Sequence, residues 1–249
     1  MSSLDGKNIV VVGAGQGVGC EIVAIAGESG ARVLAVARRE ATLARLTDRV
    51  PGTMTLRVDA TEKSAPDRVF QSLSPDVLVL CGGANPVMAA VQDQTWEQFS
   101  GVWDADVKAS FHFCKAALRK PLAPGSAVVL LSSGAALMGS HLSGSYAGAK
   151  RMQMFLAEYC QKQSDRSALG IRFLAVAPAR IMPGTELGKI AVTAYSEYLG
   201  IKESEFIAGA ENTQTPAQVA EAVVRLVCET PQREGSVFSV SATGIEAVG

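Results

Sequence analysis

NIVVVGAGQGVG, residues 8–19, joins an apolar run directly to a cluster of glycines. The run at 8–12 is short, continuous and rich in β-branched residues, which predicts a buried β-strand. Glycines after such a strand allow a sharp turn and a close approach of the backbone to a ligand. A helix that begins at such a turn presents its N-terminal amides and its dipole to an anion. The stretch therefore favours a nucleotide-binding α/β fold, although tight turns that bind nothing also collect glycine.

Six further apolar runs follow, separated by segments with helical patterns, at 32–36, 55–58, 76–80, 126–131, 171–176 and 236–240. Most are continuous, as in parallel strands that are covered on both faces. Thr95 and Thr215 each open a capping box, the second with proline in the first turn of its helix. This alternation predicts a single doubly wound (Rossmann-type) α/β domain over residues 1–249, with a central parallel sheet of about seven strands. Ligands of such sheets bind beyond the carboxyl ends of the strands.

The composition excludes several other classes of protein. Apolar residues make up 48% of the 249 residues, and the formal net charge is −1. These values argue against a disordered chain and against a surface for nucleic acid. The five cysteines are scattered and form no His/Cys cluster, which predicts reduced thiols and no metal site. Neither a signal-peptide core nor a run of membrane-spanning length is present, so we expect a cytoplasmic protein with no membrane contact.

Two motifs resemble those of the short-chain dehydrogenase/reductase family, and the resemblance covers nearly the whole chain. The glycines fit G-x-x-x-G-x-G rather than G-x-G-x-x-G, and a Tyr-x-x-x-Lys motif follows at Tyr146 and Lys150. The resemblance implies that a nicotinamide dinucleotide lies across the sheet. The residues implied to contact it are Gly13, Gly15, Gln16, Gly17, Val18, Gly19, Ala37, Arg38, Arg39, Asp59, Ala60, Gly82, Gly83, Tyr146, Lys150, Pro178 and Ile181.

The end of the second strand bears on the choice between the two nicotinamide cofactors. An acidic residue there binds the ribose hydroxyls of NAD, whereas an arginine accommodates the 2′-phosphate of NADP. Ala37 occupies the acidic position and Arg38 and Arg39 follow it, so a guanidinium can bind the phosphate. The simpler interpretation is that both arginines are solvated charges at the start of a surface helix. We expect NADP(H).

Tyr146 and Lys150 lie four residues apart where the sequence predicts the start of a long helix, so they share one helix face. A phenol is ordinarily too weak an acid to exchange protons at neutral pH, and a nearby ammonium favours its anion. Ser133, at the end of the predicted fifth strand and thirteen residues before Tyr146, has the spacing of the family's catalytic serine, although it could simply cap a loop. The resemblance implies that Tyr146 exchanges the proton, that Ser133 holds the substrate oxygen, and that Lys150 tunes Tyr146 and binds the nicotinamide ribose.

The chain departs from the family at its fourth catalytic position. Alignment through Phe99 and Trp103 places Asp106 where the family has asparagine. An amide both donates and accepts hydrogen bonds, whereas an ionised carboxylate only accepts. We expect Asp106 to be a catalytic residue and the protein to retain a modified activity.

Four further positions follow from the resemblance near the third and fourth strands. Asp59 matches a family aspartate that contacts adenine, but it could equally be a helix N-cap. After the fourth strand the family usually has Asn-Asn-Ala-Gly, whereas this chain has Cys81, Gly82 and Gly83. The backbone can still approach the cofactor, and we expect Cys81 to be a packing residue.

The segment after the sixth strand is expected to close over the substrate. The backbone of Ile181 would face the nicotinamide carboxamide, and the family's threonine corresponds to Pro183, or to Thr185 if the chain bulges between them. Residues 184–212 are predicted to form a lid whose aromatic side chains contact substrate or pack against helices. His141 is a candidate substrate contact, together with Ser133 and Tyr146, although a lone histidine is more often structural.

Three functions remain open at this point. The first is an NADP(H)-dependent carbonyl reductase or alcohol dehydrogenase, which transfers hydride to or from a small-molecule carbonyl or alcohol substrate. The second is an NADP(H)-binding sensor or scaffold in which Asp106 marks lost catalysis, and the third is an epimerase or lyase, which would usually carry a longer carboxyl-terminal region. The resemblance also implies a homodimer or homotetramer built on helices near 107–118 and 147–161.

Overall fold

The structure is a computed structural model that describes residues 4–210, 213–229 and 234–248. In this part of the chain, eight strands form one sheet in the order β3-β2-β1-β4-β5-β6-β7-β8. The strands are β1 Asn8–Val12, β2 Arg32–Ala37, β3 Met54–Arg57, β4 Val77–Leu80, β5 Ala127–Leu131, β6 Arg172–Pro178, β7 Val237–Ser241 and β8 Gly244–Ala247. The first seven are parallel, which confirms the predicted doubly wound α/β fold.

The sequence predicts seven strands, and the described part of the chain contains these and one more. The structure adds β8, which pairs antiparallel with β7. With four residues, of which two are exposed, β8 carries too short an apolar pattern to be recognised. The predicted fifth strand, 126–131, ends at Leu131 as β5 does, so Ser133 lies two residues beyond the strand.

Helices lie between the strands and cover both faces of the sheet. They are α1 Gly17–Glu28, α2 Glu40–Arg49, α3 Ala65–Ser72, α4 Trp96–Val102, α5 Lys108–Arg119, α6 Ala135–Met138, α7 Gly144–Arg166, α8 Glu186–Leu199, α9 Glu203–Gly209 and α10 Pro216–Cys228. Both predicted capping boxes are present, at Thr95 and Thr215. One π-helical turn, Trp103–Val107, joins α4 to α5.

Successive strand residues pack into separate cores on the two sides of the sheet, which explains why the strand sequences are continuously apolar. Val10 packs in the core that includes Phe113 of α5 and Met154 of α7. The next residue, Val11, packs in the core that includes Ile22 of α1. Because both faces are buried, neither could carry alternating polar residues.

The strand order creates the crevice in which a ligand can bind. Both β2 and β4 pair with β1, so the chain runs outward in opposite directions from this point. Parallel sheets bind ligands outside the carboxyl ends of strands at such a reversal. The predicted lid follows β6 and contains α8 and α9; its last two residues, Glu211 and Asn212, lie outside the described residues, as do residues 1–3 and 249 of the predicted domain.

Candidate active site

A cleft of about 760 Å³ lies at the carboxyl ends of the parallel strands. All the residues predicted to contact the cofactor line it, together with Asp106, Ser133, Tyr146 and Lys150. His141 is not among the lining residues; it is exposed, and its ring centroid lies 4.2 Å from that of Tyr198. The structure therefore brings the candidate catalytic and cofactor residues together and leaves His141 beside them.

Two glycines of the turn, Gly13 and Gly19, are required by close packing against the backbone of the protein itself. Gly13 has φ +87°, a backbone conformation that is strained for any residue with a side chain. A Cβ there would also lie 2.2 Å from the Gly82 nitrogen, so there is no space for a side chain. A Cβ at Gly19 would lie 2.4 Å from the Gly13 oxygen. The Gln16 side chain does not cap α1, so the first amides of the helix can bind an anion such as a pyrophosphate.

The end of β2 supplies the cationic edge of the cleft. Arg38 and Arg39 are both exposed, and Arg39 donates a hydrogen bond from Nη2 to Oε1 of Gln16 at 3.0 Å. The charge of Arg39 also acts on Glu186, and that of Arg38 acts on Asp59. Exposed guanidinium groups of this kind are suited to binding a phosphate.

Asp59 is held by hydrogen bonds from one residue. Its Oδ1 accepts from the Thr61 backbone N–H at 2.9 Å and from the Thr61 hydroxyl at 2.8 Å. The backbone bond is the main reason that the pKa of Asp59 lies below its ordinary value. Asp59 does not cap a helix, because α3 begins at Ala65 after Ser64.

Tyr146 and Lys150 lie on the first two turns of α7 and both face the cleft. The Lys150 Nζ lies 5.6 Å from the centroid of the Tyr146 ring. Ser133 follows β5, and its Oγ accepts a hydrogen bond from the Ala135 N–H at 3.2 Å, so its own proton remains available to another acceptor. A phenol, a serine hydroxyl and a lysine ammonium thus line the same cleft.

Asp106 reaches Lys150 from the π-helical turn. The carboxylate is 1% exposed, and its Oδ2 lies 2.9 Å from the Lys150 Nζ. Its Oδ1 accepts a hydrogen bond from the Ala84 N–H at 2.9 Å. A Cβ at Gly83 would lie 2.7 Å from Oδ2, so the glycine after β4 makes room for this carboxylate.

Burial and charge act in opposite directions on Lys150. Desolvation is the largest single influence and lowers the pKa of this buried lysine, but the charge and hydrogen bonding of Asp106, together with Tyr146 and Cys81, outweigh it, so the pKa of Lys150 lies above its ordinary value. Burial likewise disfavours the thiolate of Cys81 and raises its pKa to about 12. Cys81 is therefore a protonated thiol at neutral pH, in agreement with the predicted packing role.

The segment after β6 is anchored by hydrogen bonds at both of its ends. Gln214 accepts from the Arg180 N–H at 2.8 Å and donates its own N–H to the Ile181 carbonyl at 3.0 Å. Thr185 caps α8: its hydroxyl accepts from the Gly188 N–H at 2.9 Å and donates to the Met182 carbonyl at 2.8 Å. Thr185 lines the cleft as predicted, but its hydroxyl already has two partners.

The structure also shows contacts that sequence reasoning missed. The first residue of α8, Glu186, accepts hydrogen bonds at 2.8 Å from Gln16 in the glycine turn and from Asn85 after β4. We call Gln16, Asn85 and Glu186 the lid latch. At the other side of the cleft, the Tyr195 hydroxyl of α8 bonds to Ser140. A local sequence pattern could not predict these hydrogen bonds, because their partners lie far apart in the chain; 170 residues separate Gln16 from Glu186.

Within the described ranges, no group of three or more His, Cys, Asp or Glu side chains is arranged to hold a metal ion. The same part of the chain contains no helix with the length and hydropathy that a membrane crossing requires.

Comparison with known proteins places the chain in a family. The short chain dehydrogenase profile matches residues 7–192. L-xylulose reductase of Mesocricetus auratus is 30% identical over 132 residues, 52% of this chain and 54% of the relative. Carbonyl reductase (NADPH) 2 of Sus scrofa is 30% identical over 129 residues, 51% of this chain and 53% of the relative. The matched chain therefore spans about half the length of these curated relatives.

A longer but weaker match is 3beta-hydroxysteroid dehydrogenase of Mediterraneibacter gnavus, 27% identical over 191 residues, 72% of this chain and 67% of the relative. A crystal structure assigned to a betaketoacyl-ACP reductase superposes with a TM-score of 0.76 at 21% identity, covering 96% of this chain and 97% of the other, and this likeness concerns the fold alone. The family match over residues 7–192 decides the classification: this chain belongs to the short chain dehydrogenase family.

Proposed function

We propose that this protein is an NADP(H)-dependent oxidoreductase that transfers hydride between nicotinamide and a carbonyl or alcohol substrate. Family membership and reductase relatives support oxidoreductase activity in general. The observation that carries the proposal is the presence of Ser133, Tyr146 and Lys150 in the same cleft as the glycine-rich turn. The cleft can therefore hold a dinucleotide and a substrate oxygen side by side.

Each side chain has a separate task in reduction. Bound NADPH supplies the hydride that adds to the carbonyl carbon. Tyr146 gives its phenolic proton to the carbonyl oxygen, so that hydride and proton together yield the alcohol. Ser133 donates a hydrogen bond to the same oxygen while negative charge develops there. Lys150 stabilises the phenolate that remains on Tyr146, and oxidation of an alcohol reverses these roles.

Tyr146→Phe tests the chemistry directly. The change removes only the hydroxyl, so cofactor binding should persist, while carbonyl reduction should fall by about 100-fold or more because the proton donor is lost. NADPH consumption against a panel of ketones and aldehydes measures activity, and fluorescence titration with NADPH measures binding. A variant that reduces carbonyls as fast as the parent contradicts the proposed role of Tyr146.

The preference for NADP(H) is supported by the exposed Arg38 and Arg39 and by the absence of a carboxylate at Ala37. The name of the Sus scrofa relative also includes NADPH. Arg38→Asp should narrow or reverse the difference in affinity between NADPH and NADH, because a carboxylate repels the 2′-phosphate and accepts from ribose hydroxyls. Dissociation constants of NADPH and NADH for the parent and the variant test this preference. Equal affinities for the two cofactors in the parent protein would refute the assignment of NADP(H).

One observation favours the second candidate, an NADP(H)-binding sensor or scaffold. The buried Asp106 carboxylate lies 2.9 Å from Lys150 and neutralises part of the charge that would assist Tyr146. Binding of NADPH without turnover of any carbonyl compound would support this alternative.

The proposed molecule is a cytoplasmic homodimer or homotetramer acting on a small-molecule substrate, without nucleic acid, membrane or metal partners. Exposed aromatic side chains on α5 and α7 support self-association. Phe111, Phe155 and Tyr159 are 46%, 55% and 63% exposed. Such apolar surface is more often an interface than a solvated face.

A further inference from the structure

Lys150 is surrounded by three acceptors from the protein. Its Nζ donates to the Leu131 carbonyl at 3.0 Å and to Oε1 of Gln153 at 3.1 Å, and Oδ2 of Asp106 lies 2.9 Å away. A lysine ammonium has three N–H donors and no acceptor. Two hydrogen bonds and one ion pair therefore hold the ammonium in one preferred position.

Gln153 is the member of this group that the proposed mechanism does not use. It lies one turn after Lys150 on α7, is 1% exposed and is not among the residues that line the cleft. A group in that position cannot touch the substrate or the dinucleotide. It can act only through the residues that it contacts.

The chemistry of its neighbours determines how the Gln153 amide is oriented. Lys150 only donates, so the amide oxygen must face it. The amide nitrogen then donates to the Ser110 Oγ at 2.8 Å, and Ser110 uses its single proton on the Asp106 carbonyl at 2.7 Å. A chain of hydrogen bonds thus leads from the Lys150 ammonium through Gln153 and Ser110 back to Asp106, whose carboxylate lies against the same ammonium.

We infer that Gln153, held in one orientation by Ser110, is a positioning residue that fixes the Lys150 ammonium beside Tyr146. Gln153 is neutral, so it sets the position of the charge without cancelling it, whereas Asp106 does both. The inference rests on the proposed function for its catalytic consequence, but the geometry of the ammonium can be tested without turnover.

Gln153→Leu removes the acceptor and replaces the amide with an apolar side chain of similar size. We expect kcat for carbonyl reduction to fall by about 10-fold to 100-fold, since a misplaced catalytic group costs this much. The KM of the carbonyl substrate and the dissociation constant of NADPH should stay within about twofold, because Gln153 touches neither ligand. Gln161→Leu is the matched control: it removes a glutamine of α7 whose Oε1 accepts from the Phe173 N–H at 2.8 Å, outside the cleft.

Ser110→Ala is the milder variant and completes a double-mutant cycle. It removes the group that orients the amide, so we expect a smaller loss of kcat, about 3-fold to 10-fold. If Ser110 acts through Gln153, the change should have little further effect in the Gln153→Leu background. Equal and additive losses in both backgrounds would contradict the chain of contacts.

A spectroscopic measurement on the protein without ligand separates this inference from the proposed function. A buried ammonium held by two hydrogen bonds and an ion pair should exchange its protons slowly, so a ¹H–¹⁵N correlation of lysine side chains should contain a protected signal, assigned by its loss in Lys150→Met. Gln153→Leu should broaden or remove that signal and Gln161→Leu should preserve it. An intact signal and an unchanged kcat in Gln153→Leu would overturn the inference. A parent protein that shows the signal but turns over no carbonyl compound would instead contradict the proposed function.

Discussion

At the scale of single residues, Lys150 and Asp106 determine the electrostatics of the site. Removing one partner of a buried ion pair leaves an uncompensated charge, which typically costs about 3–5 kcal/mol. Asp106 is 1% exposed and also accepts the Ala84 N–H, so it links the loop after β4 to the lysine. The same carboxylate therefore contributes to stability and moderates the charge that acts on Tyr146.

Asp106→Asn should change how stability depends on pH. The folded pKa of Lys150 is raised, so its contribution to stability is fully present below the pKa of an unfolded lysine and is lost as pH rises through the folded value, above about 10.4. Without the carboxylate, burial lowers the pKa of Lys150 below that of an unfolded lysine, so the stability of the variant should instead rise as pH increases through this lowered pKa. Melting temperatures between pH 7 and 11 measure this, and coincident curves for parent and variant would argue against the pair.

The same variant tests the catalytic role of position 106. Asparagine is the residue that the family carries there, so the activity of Asp106→Asn should be preserved or raised. NADPH consumption at saturating substrate is the measurement. Loss of activity in a folded variant would show that the role given to Asp106 is wrong.

The residues of the site were largely predictable, but their contacts were not. Tyr146, Lys150 and Ser133 follow from spacing along the chain, and all three line the cleft. Gln153 lies only three residues beyond Lys150, so its place on the same helix side was readable, whereas its partner Ser110 is 43 residues away. Which polar side chains become buried together depends on how α5 and α7 pack.

At the scale of elements, α8 is attached to the rim of the cleft through the lid latch. Glu186 is the acceptor for both Gln16 and Asn85, and these hydrogen bonds, with that from Gln16 the stronger influence, lower its pKa below the ordinary value. The contribution of Glu186 to stability is therefore present above the pKa of an unfolded glutamate, and it is lost as pH falls through the pKa of Glu186 in the folded protein. The latch should weaken below about pH 4.3.

Glu186→Ala should loosen α8 over the cleft. Because the latch is exposed to solvent, the effect should be modest, an increase of up to about fivefold in the dissociation rate of NADPH. Stopped-flow displacement of NADPH measures this rate, and hydrogen exchange of α8 reports its docking. Glu197→Ala, an exposed glutamate on the same helix, is the control; equal rates in the two variants would show that the latch does not hold the lid.

Elements with strong local patterns were predicted well. Each of the seven predicted strands lies within one or two residues of an observed strand, because a continuous apolar run is the pattern of a strand buried on both faces. The π-helical turn at Trp103–Val107 was not predicted, since one extra residue in a turn changes no hydrophobic period. In this turn the Trp103 ring lies against Gly148 of α7, and a Cβ at Gly148 would lie 3.2 Å from the indole.

At the scale of the whole molecule, the remaining question is what covers the aromatic surface of α5 and α7. The rings of Phe155 and Tyr159 stack 6.0 Å apart on the outer side of α7. Phe155→Glu should raise the dissociation constant of a dimer by at least about tenfold, because a buried aromatic anchor is replaced by a charge. Sedimentation velocity at several concentrations measures this. Trp96→Glu, at a 71% exposed aromatic on α4, is the control, and a Phe155 variant that associates like the parent would place the interface elsewhere.

The order of residues was enough to predict an α/β sheet, the glycine turn and the identity of the side chains at its carboxyl edge, because hydrophobic period, glycine spacing and Tyr-x-x-x-Lys are local properties. The folded chain was needed to show that Asp106 meets Lys150, that Glu186 meets Gln16, and that His141 stands outside the cleft. Such contacts join residues far apart in sequence. They form where the packing of helices on the sheet removes polar groups from water, because a buried polar group needs a hydrogen-bond partner within the protein.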